Sequence, residues 1–501
     1  MRRLHDVLDA AAADAPGAPA LSVDGTTWTF GELRGRADAL SAFLSARCPR
    51  GARVALLAHN RPEYVAAYYG VPRGGRILVP LNQRLHPREW ADQIARSGAE
   101  LVLGEPDLLA RLAAEGGLPP DRPSLTGITD LPWDGPAPES ESDPSDVAWL
   151  LFTSGTTGRP KGVRLTHGNL LAGLDASAHG RPVRATDVFC TPFPLCHVAG
   201  YQVMLHHLFR RHAVVLRRFT PSALVAAARR HGVTGLSLAP TMLEDLLALD
   251  PAELDVLRGT LRVVYYGSAP MPVPLLRRAA ETLGCDFNQG FGMTELSGNA
   301  TFLSPDDHRA ALTTRPGLAA SAGRPAGGVE IAILDEEGAL LPPGALGEVG
   351  VRGPQVTTGY WDDPAATAGA FAGGWFRTGD AGRVDEDGYL YLVDRLKDVI
   401  ITGGENVSSR EVEDVLRTVP GVAEVAVVGL PDPRWGQTVC AVVVPDGARP
   451  AERDLIAACR ARLAGFKTPR RIEYADALPR TGTGKIQKSA LRARLRAGRP
   501  G

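Results

Sequence analysis

Lysine is scarce in this chain. Of 55 basic residues in 501, only Lys161, Lys397, Lys467, Lys485 and Lys488 are lysines, and the other 50 are arginine. An ammonium is compact and rotates its donors freely, so a lysine kept in such a chain marks work that a guanidinium fork cannot do. Lys161, Lys397 and Lys485 sit inside motifs; Lys467 and Lys488 do not and carry no functional expectation. Charge of one sign is also lacking: the formal net charge is -1. With no run of like charges, no broad field for nucleic acid or an anionic membrane is expected. The six cysteines (Cys48, Cys190, Cys196, Cys285, Cys440, Cys459) are scattered without a CxxC pair. That argues against a structural zinc site or disulfide scaffold and fits reduced, cytoplasmic thiols. No apolar run approaches the ~18 residues of a membrane span. Asp6 and Asp9 interrupt the start of the chain, which does not read as a signal peptide. No internal repeat is apparent.

What is present is a soluble globular composition, 44% hydrophobic and 22% charged, at a length that implies two or more domains. Up to about residue 145 the chain alternates strand-like and helical segments. Thr27–Phe30 reads as a strand entering a helix. Arg53–Leu57 and Ile77–Leu81 read as buried strands flanking a helix at Pro62–Tyr69, the βαβ rhythm of a parallel sheet. Pro132–Asp146 reads as a surface connection. Val147–Phe152 is a buried strand, His167–His179 a helix, and Val214–Leu216, Gly235–Leu238 and Val263–Tyr266 are further strands. From about Gly347 short β segments with glycine turns take over. Asp394–Asp398 reads as a charged linker, followed by a helix near Ser409–Thr418 and a strand at Val422–Val428.

The chemistry-bearing stretches lie between these elements. Thr153-Ser154-Gly155-Thr156-Thr157-Gly158-Arg159-Pro160-Lys161-Gly162 is either a polar turn between strands or a phosphate cradle. Its glycines admit close backbone approach, its hydroxyls donate, and Lys161 supplies a point charge. It is not a Walker A loop, because Gly162 follows Lys161 and Pro160 biases Arg159 toward extended backbone. His197 is a packed histidine or a catalytic one, and small Ala199 and Gly200 leave room for a ligand beside it. Gly267-Ser268-Ala269-Pro270 is a turn at a strand's carboxyl end, where open α/β sheets place ligands. In Gln289-Gly290-Phe291-Gly292-Met293-Thr294-Glu295 the glycines either make an ordinary turn or let backbone and ring meet a flat ligand, with Glu295 offering oxygens that suit magnesium. Asp380, in a tight Thr-Gly-Asp turn, caps that turn or grips two hydroxyls. Pro479–Lys488 closes the series as a second glycine-flanked lysine loop around Lys485.

In this order and at these spacings the motifs resemble the AMP-forming adenylating superfamily, which includes acyl-CoA synthetases, adenylation domains of peptide synthetases and firefly luciferase. The resemblance runs from Thr27 to Lys485. It implies an α/β fold, with an N-terminal region (1–394) of two αβ lobes plus a small β-barrel, and a small mobile α+β C-terminal domain (395–501) hinged at Lys397. It also implies cofactors ATP, Mg2+ and CoA. Residues Thr153 to Gly158 with Lys161 would hold the β- and γ-phosphates. Ser268, Ala269, Pro270, Gln289, Gly290 and Gly292 would flank the adenine, with Phe291 stacked on it. Thr294 would touch the α-phosphate and Glu295 the metal, Asp380 would bind the ribose hydroxyls, Arg395 would help hold the ribose or phosphate, and Lys485 would reach the reacting carboxylate and α-phosphate oxygens. Gly403 and Gly404 would line a pantetheine tunnel. The acid pocket would draw on His197, Tyr201, Thr241, Gly267, Gly290 and Ser297, up to Thr301.

The expected reaction is ATP-dependent ligation of a small-molecule carboxylic acid, aromatic or medium aliphatic, to CoA through an acyl-adenylate. The alternatives are transfer to a carrier-protein thiol or an amine, activation of an unusual oxyanion, or a nucleotide-binding scaffold without turnover. No aspartate stands near His197 to meet an α-ammonium, which argues against an α-amino acid.

Overall fold

The computed structural model spans the whole chain and describes every residue except 119–122, 134, 136–141, 154–159, 268–270, 396–397, 399, 403–404, 433–434, 464, 481–484 and 498–501. At 394, 395, 401, 405, 406 and 497 the backbone alone is described. The chain divides into two compact units, Met1–Ile331 with Val351–Phe376 and Gly388–Leu390, and Ala332–Gly350 with Arg377–Asp387 and Tyr391–Gly501.

The first unit is built on two sheets. A six-stranded sheet runs Ser124–Gly127, Leu101–Gly104, Arg53–Leu57, Ile77–Leu81, Val147–Thr153, Lys161–Thr166. Its strands pair in parallel, except that the last two are antiparallel. Ile77–Leu81 is buried at every position, as a strand covered on both faces must be. A nine-stranded sheet runs Arg324–Pro325, Gly298–Leu303, Asp286–Met293, Val263–Gly267, Gly235–Leu238, Val188–Thr191, His212–Val215, Pro19–Val23, Thr26–Thr29. It is parallel from Pro19–Val23 through Asp286–Met293 and antiparallel at both ends.

Three apolar clusters hold these layers together. One joins Leu56, Tyr64, Tyr68, Trp149, Leu170 and Tyr201. A second packs Leu236, Val264 and Phe287 under Leu224, Leu243, Leu257 and Leu276. A third packs Val79 and Val102 under Trp90 and Leu112. The first helix after Thr26–Thr29 starts as expected, because Thr29 and Glu32 form a capping box (Glu32 N to Thr29 Oγ1 3.2 Å, Thr29 N to Glu32 Oε2 2.8 Å). A second capping box, Thr166 with Asn169, starts the helix His167–Gly180.

Five short strands (Glu330–Leu334, Gly347–Arg352, Trp375–Val384, Phe371–Ala372 and Leu390–Arg395) form a third sheet. Two expectations fail there. Thr378-Gly379-Asp380 is not a turn: it lies inside the ten-residue strand Trp375–Val384, where Gly379 takes φ 72°. Asp394 and Arg395 belong to the strand Leu390–Arg395 rather than to a linker.

The second unit carries a five-stranded sheet, Glu405–Val407, Ile400–Thr402, Gly436–Pro445, Val422–Asp432, with Arg471–Tyr474 beside Gly436–Pro445. Val422–Asp432 is apolar on both faces because alternate residues feed separate cores. Val425 and Val427 pack with Leu416 and Leu455, and Ala426 and Val428 with Leu478 and Leu491. The two lysines without an expected function are structural here. Lys467 pairs with Glu411 at 2.6 Å, and Lys488 with buried Glu413 at 2.8 Å.

Candidate active site

In the first unit, strands Val147–Thr153 and Lys161–Thr166 pair from Val147↔Thr166 to Thr153↔Lys161, so the glycine-rich decamer connects two antiparallel strands. Ser154, Gly155, Thr156, Thr157 and Gly158 lie outside the described residues. The lysine at the connection's end is held in place. Its Nζ stands 4.8 Å from the ring centroid of Tyr360, a cation–π distance. Tyr360 is placed by backbone pairing beside this strand: Trp361 N donates to Gly162 O at 2.7 Å and Arg164 N to Gly359 O at 3.1 Å. The phenol donates to Glu295 Oε1 at 3.2 Å, and Glu295 is 5% exposed. Burial first, and the Glu295 carboxylate second, push the phenol's pKa far up, so Tyr360 stays protonated as a donor. Lysine, phenol and buried carboxylate thus form one connected series.

Glu295 reaches this position because strand Asp286–Met293 stops and a single 3-10 turn, Thr294–Leu296, follows. The turn is pinned on both sides: Thr357 N donates to Glu295 O at 2.7 Å, and Ser297, at φ 49°, donates its hydroxyl to Gln355 O at 2.8 Å. The Glu295 carboxylate is a hard oxygen donor of the kind that fits magnesium.

The strands Val263–Gly267, Asp286–Met293 and Gly298–Leu303 lie side by side, and their glycines answer to each other. A Cβ on Gly267 would meet Gly290 O at 2.6 Å, and one on Gly292 would meet Gly298 O at 1.9 Å. Gln289-Gly290-Phe291-Gly292 is therefore strand rather than turn, and half-buried Phe291 pairs across to Thr301. Gln289 Oε1 accepts from Tyr266 at 3.1 Å. Ser268, Ala269 and Pro270 lie outside the described residues.

Beside these strands is a cavity of about 60 Å³ whose walls include Gly267, Gly290, Gly292, Ala199, Tyr201 and Arg181. Of the expected acid-pocket residues, Tyr201, Gly267 and Gly290 meet there. His197, half-buried at the start of the 3-10 turn Val198–Tyr201, is not in the lining. Neither are Thr241, exposed at the start of helix Pro240–Leu247, and Ser297, whose hydroxyl Gln355 consumes. The smallness of Gly200 has a packing cause rather than a ligand one, because a Cβ would meet the Tyr68 hydroxyl at 2.6 Å and Leu195 Cα at 2.8 Å. Tyr360 and Arg181 escaped the sequence reading. Gly359-Tyr360-Trp361, an aromatic pair after a glycine, was the available signal for the first; Arg181 had none.

In the second unit, Asp380 is buried, with its N–H donating to Thr378 Oγ1 at 3.1 Å, and Gly379 N donates to Glu348 Oε1 at 2.9 Å. Lys485 is exposed, next to a bridge between Arg480 and Ile486. The side chain of Arg395 and all of Lys397, Gly403 and Gly404 lie outside the described residues.

Residues 8–361 match the family model of AMP-binding enzymes, and residues 411–485 match that of the AMP-binding enzyme C-terminal domain. A feruloyl-CoA synthase of Amycolatopsis sp is 39% identical over 495 residues, 96% of each chain. The o-succinylbenzoate CoA synthetase of Bacillus subtilis, solved with its acyl-adenylate intermediate, superposes with a TM-score of 0.86 at 31% identity, covering 99% of this chain and 98% of that one. An amide bond synthetase of Marinactinospora thermotolerans does so with a TM-score of 0.86 at 34% identity, covering 98% of this chain and 100% of that one. The chain belongs to the AMP-binding enzyme family. It is thereby an AMP-forming ligase, a class whose cofactors are ATP, Mg2+ and CoA.

Proposed function

We propose that this enzyme activates a carboxylic acid with ATP, forming an acyl-adenylate and pyrophosphate, and then transfers the acyl group to CoA with release of AMP. The observation that carries the reading is the series Lys161–Tyr360–Glu295 in the same unit as the cavity at Gly290. It ties the end of the glycine-rich connection to a buried carboxylate, on the strand-and-turn segment that also supplies Gly290 and Gly292 to the cavity wall. The likeness to a feruloyl-CoA synthase over nearly the full length supports CoA as acceptor.

A carboxylate attacking an α-phosphorus brings two anions together, so the first step needs fixed positive charge and hard-ion coordination. Thr153 to Gly158 and Lys161 hold the β- and γ-phosphates. Gln289 to Gly292, with Ser268 to Pro270, flank the adenine. Thr294 meets the α-phosphate and Asp380 the ribose, with Arg395 beside it. Glu295 would hold Mg2+, which would supply charge neutralisation at the phosphates. Lys485 reaches the carboxylate and α-phosphate oxygens in the first step. Residues 395–501 then turn about Lys397, withdrawing Lys485 and bringing Gly403 and Gly404 beside the thiol's path, so that one pocket serves two reactions. Tyr201, Gly267 and Gly290 form the acid pocket.

The likeness to an amide bond synthetase favours a second reading, in which an amine takes the acyl group. A pyrophosphate-release screen over a panel of carboxylic acids tests the first half. AMP formation with CoA, a holo-carrier protein or an amine as sole acceptor separates the second. Turnover with CoA is expected; no pyrophosphate from any acid would end the ligase reading, and turnover with amine alone would replace CoA.

A further inference from the structure

The helix His167–Gly180 ends at Arg181, whose N–H still bonds Ser177 O at 3.0 Å while its own backbone is extended (φ -123°, ψ 124°), as the following Pro182 favours. The side chain enters a built enclosure. Gly180 is bare because a Cβ would meet Phe302 Cδ2 at 2.0 Å. The guanidinium carbon lies 5.7 Å from the Phe302 centroid and 4.6 Å from that of Tyr265. Arg181 is 4% exposed and lies in the wall of the cavity that also touches Gly267, Gly290 and Gly292.

Its charge is not balanced there. Nη1 donates to Gln202 Oε1 at 2.8 Å, Nε is buried without an acceptor, and no carboxylate among the described residues pairs with it. Asp187, whose charge is felt by the same neighbours His206 and Tyr265, is committed to Arg262, with Nε to Oδ1 at 3.0 Å. Burial keeps the adjoining phenols of Tyr201 and Tyr265 protonated and His206 neutral, its pKa brought down to about 3, so none of them supplies a negative charge. A buried cation without an anion is costly, and chains that keep one generally have a partner for it. The helix's carbonyl end and the two ring faces compensate in part. They leave Nε without an acceptor while Nη1 is taken by Gln202, so a carboxylate would be met along the Nε edge of the guanidinium.

We propose that the acid this enzyme activates is a short dicarboxylate, and that Arg181 pairs with the carboxylate that is not adenylated. This rests on the ligase reading above. An acid whose reacting carboxyl meets the glycine strands places its remaining atoms against Arg181. A cavity of about 60 Å³ is small for a ligand site, which favours a few carbons and a terminal carboxylate over a long chain or an aromatic ring. Arg181 is then a specificity determinant: it binds the substrate's far end and takes no part in the phosphoryl chemistry.

The test uses the full chain and pyrophosphate release with matched acids: glutarate, its monomethyl ester and pentanoate, and succinate against butyrate. The expected result is a kcat/KM at least about tenfold higher for each dicarboxylate, since a site built to pair a buried charge rejects an analogue that leaves it unpaired. In Arg181→Met, the dicarboxylate preference should fall to about one or invert, and Tm should stay or rise. A purely structural arginine would instead lower Tm and leave the preference unchanged. Arg181→Lys should restore part of the preference. Equal or better turnover of the monocarboxylates by the wild-type chain overturns the proposal without any variant, and so does a preference that survives Arg181→Met. If no acid releases pyrophosphate, the ligase reading falls by itself. Calorimetry with glutarate then decides on Arg181, and a Kd that Arg181→Met does not weaken overturns the assignment.

Discussion

Tyr360 shows how much one side chain can settle. Its ring carries the Lys161 ammonium and its hydroxyl serves Glu295, so it couples two groups that stand 134 positions apart in sequence. A hydrogen bond to a charged group is worth about 1.5–3 kcal/mol. Tyr360→Phe keeps the ring and the cation–π contact and removes only that bond. We expect kcat/KM for pyrophosphate release to fall by roughly ten- to a hundredfold, with a higher Mg2+ concentration at half-saturation. An unchanged Mg2+ titration would show that the phenol does not orient the metal's carboxylate. At the same scale, five lysines stood out by scarcity, and the structure divides them. Lys467 and Lys488 brace the helix Ser409–Leu416 through Glu411 and Glu413, whereas Lys161 has no carboxylate partner among the described residues and faces an aromatic ring.

Among the elements, the helix His167–Gly180 has two tasks, since its first residue follows the strand that carries Lys161 and its last precedes Arg181. Its start is fixed by the Thr166–Asn169 box, and Asn169 Nδ2 also donates to Pro354 O at 2.8 Å and Val356 O at 2.9 Å. Those contacts lock the segment that presents Tyr360. Thr166→Ala should therefore cost about 1 kcal/mol in denaturant unfolding, the usual price of a lost cap, and should lower activity as well. A variant with full stability would mean the buried asparagine alone holds the helix start. The elements also explain why the sequence reading was uneven. Val263–Tyr266 and Gly235–Leu238 were legible because their hydrophobic runs are short and bounded. Thr378-Gly379-Asp380 was misread because a glycine at positive φ inside a strand looks, locally, like a turn.

Over the whole molecule, histidine is distributed one-sidedly: all eleven lie in the first unit and none in the second. Burial holds His5 and His206 down to about 3, and His167, His207, His212 and His308 to about 4. In the unfolded chain each would take its proton near pH 6.5, so between about pH 6.5 and 4 the unfolded state binds more protons than the folded one. Stability must fall as pH drops through that window, by at most about 1.4 kcal/mol per pH unit for each histidine, and level off below the folded values. A Tm that declines from pH 7 to pH 5, with the first unit unfolding first, is expected from scanning calorimetry. A flat Tm there would mean the histidines are hydrated. The proposed turn of residues 395–501 about Lys397 gives a second prediction. Lys485→Ala should abolish adenylate formation and spare thioester formation from supplied acyl-adenylate; equal loss of both would refute a C-terminal domain that presents different faces to the two steps.

The family, the order of its motifs and most strands were determined by the sequence alone, because each is encoded in a contiguous run: a hydrophobic period, a capping pair, a glycine-flanked lysine. Tertiary structure decided the rest. That Glu295 meets a tyrosine 65 residues on, that Gly200 is small for Tyr68, and that Arg181 lies against Tyr265 and Phe302 with no carboxylate are facts about neighbours in space. Such contacts leave no local periodicity, since the chain must close long loops before they exist, and a charge's partner is known only when everything around it has been placed.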